Sequence, residues 1–227
     1  MKQTRTVVDS VYRWASDVLP DPWSETWRAY RTRDDFRRAG VVFVHVPRTA
    51  GLSVSRTLYN RDIHHFTIGQ LQAVLPDDVL GLPRFTVVRN PWDRAVSAYH
   101  FARQGGVPGG AQMSNPERYR GNDFDSFDTF VTRYLTHRRL SRADGVFRPQ
   151  TSYLTLGDGT LPFDHIGRFE HLADTEQWLS GILGRRIEFP RINGTEREGY
   201  REYFTDQTRD IVGSLYRSDV ETFGFTF

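Results

Sequence analysis

The 227-residue chain contains no cysteine. That absence removes disulfide frameworks, thiolate zinc sites, iron–sulfur clusters and cysteine nucleophiles together. Lysine is almost missing as well: Lys2 stands alone against 29 arginines. No apolar run approaches the ~18 residues that a membrane span requires. The first twenty residues are interrupted by Asp9, Arg13 and Asp17, whereas a secretory signal needs an unbroken apolar stretch of ~7–15 residues. Neither a span nor a signal is expected, and the expected location is cytoplasmic. A large excess of one charge is also lacking, since a net charge of +2 is too weak to argue for a nucleic-acid partner.

What is present is a globular composition, 38% hydrophobic and 26% charged, distinct from that of disordered chains. At ~150 residues per domain the length fits one domain, possessing enough chain to bury a core without staples. Residues 6–19 carry apolar side chains at helical spacing until Pro20, and 21–40 read as a polar connector bearing Trp23 and Trp27. Residues 1–40 are therefore expected to form an N-terminal helical extension, with the main domain at 41–227. Val41–Val46 is a continuous β-branched run of the kind found in strands buried on both faces. Phe85–Val88 repeats the pattern, and His165–Phe169 reads as a late strand. Helices are expected over Leu52–Tyr59, Thr67–Leu75, Trp92–Phe101 (Asn90 as cap, Pro91 at the first position), Phe124–Leu140, through Leu183 after Asp174 as cap, and over Asp206–Thr222 after Thr205 as cap. Residues 104–112 are rich in glycine and read as a loop or lid. Buried strands alternating with helices predict an α/β fold, a parallel sheet flanked by helices, with ligands at the carboxyl ends of the strands.

Two strand-to-helix turns stand at those ends. The first, HVPRTAGLS at 45–53, leaves unpaired backbone N–H groups at a helix start, where the helix dipole favours an anion. Arg48 adds a cation, and Thr49 and Ser53 add hydroxyls. The turn lacks the GxxxxGK[ST] pattern, so no P-loop lysine is followed by a hydroxyl that would hold Mg²⁺. An ordinary strand–helix turn explains it equally well. The second turn, VRNPWDRAVSAY at 88–99, offers an arginine fork at Arg89 and a hydroxyl at Ser97, although Arg89 and Asp93 also suit a capping ion pair. Two such turns together point to a ligand with phosphates at both ends.

These residues resemble the sulfotransferases that use 3′-phosphoadenosine 5′-phosphosulfate (PAPS). HVPRTAGLSV is similar to their 5′-phosphosulfate loop and VVRNPWDRAVSAYHF to their 3′-phosphate motif. The resemblance is greatest to the carbohydrate branch that includes the heparan 2-O-sulfotransferases. It continues through RPQTSYL, DHIGRFEHL and INGTER to the C-terminal segment, covering about residues 41–225. It implies a P-loop NTPase-like sulfotransferase fold, PAPS as donor with PAP as product, no metal requirement, and a carbohydrate or glycoconjugate acceptor. Carried over by position, Arg48, Thr49, Ala50, Gly51, Leu52 and Ser53 hold the 5′-phosphosulfate. Arg89 and Ser97 hold the 3′-phosphate, and Thr195 and Arg197 of INGTER add contacts. Arg48 departs from the family's usual lysine: arginine keeps its charge but donates no proton. The acceptor hydroxyl needs a base, and the resemblance places it in the segment holding His64 and His65, with His65 the better fit. His45 is expected to pack beneath the loop, and Glu170 to pair with Arg168 at the surface or to support the nucleotide. Trp14, Trp23, Trp27 and Tyr30 read either as an acceptor platform or as packing of a helix pair. Two other functions remain open on sequence: a non-catalytic PAP- or sulfoglycan-binding module, and a P-loop nucleotide kinase.

Overall fold

A computed structural model describes residues 21–107, 112–190 and 199–227. Three parallel strands, β1 (Val42–Val44), β2 (Arg84–Val88) and β3 (His165–Arg168), form one sheet in the order β1-β2-β3. Phe43 aligns with Phe85, and Phe85 with His165. β1 and β2 are buried on both faces apart from Arg84, as expected for a sheet covered by helices. β1 is shorter than the apolar run because His45 and Val46 leave the ladder to enter the turn.

The connector reading of 21–40 gives way to two helices, α1 (Asp21–Arg31) and α2 (Arg33–Ala39). Ala29 and Phe36 are wholly buried, so this polar sequence hides an apolar stripe. α3 (Gly51–Tyr59) follows β1. α4 (Ile68–Val74) starts at Thr67, whose hydroxyl and the Gln70 side chain cap one another's backbones. α5 (Pro91–Arg103) follows β2 with Asn90 accepting from Trp92 N. α6 spans Leu172–Leu183, three residues ahead of the expected start, so Asp174 lies in its first turn rather than capping it.

Two expected long helices are broken. Phe124–Leu140 splits into a 3₁₀ turn (Asn122–Phe124), one α-helical turn (Phe127–Thr129) and a π-helical segment (Phe130–Leu135). Ser126 and Thr129 cap each other there and impose a new start. The C-terminal helix divides into α7 (Asp206–Leu215) and α8 (Arg217–Phe223), with Thr205 capping α7 as expected. The break falls at Tyr216, whose hydroxyl is anchored on the Phe147 carbonyl. Among the described residues no helix is long and apolar enough to cross a membrane. Residues 6–19, Thr195, Arg197, the centre of the glycine-rich loop and the side chain of Trp23 lie outside what is described.

Candidate active site

The β1–α3 and β2–α5 turns open onto one cleft of about 1270 Å³. In the first turn the chain reverses so sharply that Arg48 (φ 71°) and Ala50 (φ 65°) adopt left-handed conformations. Such backbone costs about 1–3 kcal/mol per residue and concentrates at functional sites. Ala50 occupies the N-cap position of α3 yet brings no side-chain acceptor. The backbone N–H groups of Ala50, Gly51 and Leu52 find no acceptor among the described residues. An anion is therefore the natural cap of α3.

Within the loop the predicted residues divide. Arg48, Ala50, Gly51, Leu52 and Ser53 line the cleft. Thr49 is fully buried, and its hydroxyl donates to the Val46 carbonyl at 2.9 Å, so its proton braces the turn. Ser97 is fully buried as well, and its Oγ accepts from Arg48 Nε at 3.0 Å. In this arrangement Ser97 aims Arg48, and Phe101 supports the guanidinium from 4.6 Å.

Arg89 is held on every side. Its Nε and Nη2 donate to both carboxylate oxygens of Asp93 at 2.7 and 2.8 Å, so the capping pair weighed from sequence does form. Nη1 donates to the Arg48 carbonyl at 3.2 Å, and the guanidinium lies 4.0 Å over the Phe169 ring. A guanidinium has five N–H groups, which leaves two for a ligand. Gln150 exchanges two hydrogen bonds with the Arg89 backbone, like a strand neighbour. Glu170 does not pair with Arg168; it accepts from Asn90 N at 2.7 Å and lines the cleft beside Arg89. Arg168 instead donates to the Phe223 carbonyl.

The histidines line the same cleft. His65 Nδ1 sits 2.9 Å from the His45 carbonyl. A carbonyl only accepts, so Nδ1 carries the proton and Nε2 keeps its lone pair. His45 is bound the same way to the Ile63 carbonyl at 3.0 Å, and the two rings lie 4.0 Å apart. As expected, His45 packs beneath the loop. Burial pushes its imidazole well below the ordinary range, helped by the neighbouring His65. His65 is also lowered, chiefly by burial, against the opposing pull of the His45 carbonyl and Asp62. His65 itself is exposed, and it lines the cleft. His64 is lowered by burial and then by the charge of Arg28. Both His64 and His65 therefore stay neutral near pH 7, the state a base needs.

One residue escaped the sequence reading. Arg94 is 2% exposed and donates to three carbonyls, Pro47 at 3.0 Å, Arg148 at 2.9 Å and Val146 at 3.3 Å. It fastens the anion loop to the segment 146–148 on the cleft wall. An arginine sharing a helical face with Ala98 and Phe101 was the available signal, because a cation on an apolar face needs buried acceptors. Trp27 and Tyr30, neighbours on α1, lie 5.8 Å apart between ring centroids.

A parallel sheet covered by helices, with its strand-to-helix turns gathered at one cleft, is consistent with the sulfotransferase fold, and the family match makes the protein a transferase. The model of the Sulfotransferase family matches residues 34–226, and the chain belongs to that family. No curated protein matches it.

Proposed function

We propose that the protein transfers a sulfuryl group from PAPS to a hydroxyl of a carbohydrate or glycoconjugate. The observation that carries this reading is that one cleft is lined by both strand-to-helix turns, with Arg48 and Arg89, and by a histidine whose Nε2 is kept unprotonated. The residues fit a nucleotide with phosphates at both ends. Three uncapped N–H groups and Arg48 suit one end, and the two remaining N–H groups of buried Arg89 suit the other.

When bound, PAPS supplies the sulfuryl group and a phosphate leaving group. Arg48, aimed by Ser97, stabilises the negative charge that develops on the leaving oxygen; being arginine, it does so without giving up a proton. His65 takes the acceptor proton on Nε2, and its Nδ1–H bond to the His45 carbonyl strengthens as the ring becomes cationic. Arg89 and Asp93, already locked together, fix the far end of the nucleotide with little loss of side-chain freedom. Thr195 and Arg197 remain proposed contacts from the resemblance alone. The test is twofold. Adenosine 3′,5′-bisphosphate should raise the melting temperature far more than ATP with Mg²⁺, a ligand at ~100-fold its Kd adding ~2.7 kcal/mol. Incubation with PAPS and a panel of glycans should yield products one sulfate heavier. Equal shifts with both nucleotides would count against the two-ended clamp, and binding without sulfated product would favour the non-catalytic module.

A further inference from the structure

The proposed chemistry uses the carbonyl of His45 and leaves its imidazole idle. That imidazole is closely fitted all the same. The residue is 5% exposed, yet it reaches the wall of the cleft. Nδ1 is bound to the Ile63 carbonyl at 3.0 Å, so Nδ1 carries the proton and Nε2 keeps a lone pair. One edge of the ring lies against Gly51, where a Cβ would meet Cδ2 and Nε2 at 1.8 Å. The ring centroid is 4.0 Å from that of His65, and the His45 carbonyl takes the His65 Nδ1 proton. His45 therefore touches both the first residue of α3, where the anion loop ends, and the base.

The two ends of this contact are the places where charge enters the site. A phosphate at the loop N–H groups brings negative charge, and a proton on His65 Nε2 brings positive charge. Several groups act on the histidine pair. Asp62, with Oδ1 3.8 Å from His45 Nδ1, favours a cation at His65, whereas Arg94 of α5 and His64 oppose one there. His64 also acts on His45 and itself faces Arg28 of α1. The start of α3 adds the positive end of a helix dipole. An anion in the loop offsets the dipole and Arg94 together. The buried His45 ring keeps water out of the space it fills, and charges interact more strongly where water is excluded.

We propose that His45 is a positioning residue that links donor to base: a dianion in the loop and a proton on the His45–His65 pair stabilise each other. The proton comes from solvent and lands on a ring Nε2, the nitrogen without a carbonyl partner. Arrival of the donor thereby makes His65 a stronger base. After transfer, the proton that His65 has taken stays beside the product's phosphate and returns to solvent when that product leaves. The linkage rests on the proposed anion site of the loop, and it is reciprocal by thermodynamic necessity.

The experiment is a pH titration of the histidine rings by NMR on the full chain, alone, with saturating sulfate, and with saturating adenosine 3′,5′-bisphosphate. Sulfate stays dianionic from about pH 5 to 8, so only protein groups titrate; sodium chloride at equal ionic strength is its control. His45→Asn and His65→Ala assign the resonances. Both anions should raise the midpoints of the pair, and sulfate should bind about three- to tenfold more tightly at the acid end of that range than at the basic end. His165, also lowered by burial but not on the cleft wall, should titrate alike in every sample. His45→Asn retains an amide donor for the Ile63 carbonyl and removes the ring. It should still bind sulfate, with the rise at His65 cut to less than about half; His45→Gln gives a second variant should the asparagine fail to fold. Midpoints unmoved by a bound anion would overturn the linkage and leave the nucleotide reading standing. A rise of wild-type size without the ring would overturn the part given to His45. A sulfate response in a protein that fails to bind the bisphosphate would support the linkage and remove the proposed donor, and binding of neither anion would overturn both.

Discussion

Gly51 opens α3 with no room for a side chain, and Gly51→Ala is the sharpest probe of how the anion loop and the histidine wall fit together. A methyl at this position would lie 1.8 Å from both Cδ2 and Nε2 of His45 and 2.7 Å from Cε1, where ordinary contact begins at 3.4 Å. His45 has little freedom to retreat. Its Nδ1 is bonded to the Ile63 carbonyl, and its ring lies 5.6 Å from Phe43 and 4.0 Å from His65. Either the ring or the start of α3 must move. Overpacking of this kind costs about 1–3 kcal/mol, and each kcal/mol lowers the melting temperature of a protein this size by roughly 2–4 °C. Gly51→Ala should therefore melt about 2–12 °C below wild type, with weaker binding of adenosine 3′,5′-bisphosphate because the loop N–H groups shift. The decisive assay is a double-mutant cycle with His45→Ala, read by thermal or urea unfolding. His45→Ala alone leaves a cavity and strips the Ile63 carbonyl of its donor, so it destabilises; in the double variant the added methyl enters vacated space. The cycle should show a favourable coupling of about 1–3 kcal/mol. Additive effects, within about 0.5 kcal/mol, would refute the contact and with it the link between loop and histidines.

Three further outcomes are expected. Arg89→Ala should destabilise the fold by about 3 kcal/mol, because Asp93 loses a partly buried partner, and adenosine 3′,5′-bisphosphate binding should fall with it; Asp93→Asn, which keeps the Arg89 cation, should bind far better in calorimetry. Arg94→Met should cost about 3 kcal/mol or more by stranding three buried carbonyls; unchanged urea unfolding would show those bonds to be inconsequential. Stability should fall on acidification: the unfolded chain protonates His45 and His65 near their ordinary value of about 6.5, whereas burial lowers both in the folded state. Their contribution is complete above that pH and is lost as the pH falls through the folded values. Melting temperatures that stay flat between pH 7 and 5 would contradict the depressed histidines.

The strand-to-helix turns were legible because their signals are local. Val41–Val46 and Phe85–Val88 carry unbroken β-branched or aromatic runs, and Asn90-Pro91 and Thr67 mark helix starts that the backbone obeys. The broken helices were illegible for the opposite reason. Phe127, Phe130 and Tyr134 keep a helix-like spacing through the π-helical segment, so periodicity alone cannot register the extra residue in the turn. The last helix breaks at Tyr216, whose hydroxyl is held by a carbonyl 69 residues away, a contact that no local pattern encodes. The site shows the same division. Arg48, Arg89 and His65 sit at positions set by turns close to them in sequence. The partners of Arg94 come from residues 47, 146 and 148, and Ser97 turns toward Arg48 instead of the cleft because of a contact 49 residues away.

The most direct test of the account is the pH–rate profile of sulfate transfer from PAPS, followed by product mass on a glycan that the panel identifies as an acceptor. Turnover should rise with pH through a midpoint below the ordinary imidazole value of about 6.5 and level off by neutrality, since burial holds His65 unprotonated there. His65→Ala should abolish that limb and lower turnover by about 10²–10⁴-fold while leaving the affinity for adenosine 3′,5′-bisphosphate intact, and His64→Ala should do much less. A His65→Ala enzyme that transfers sulfate at the wild-type rate, with the limb unchanged, would contradict the account.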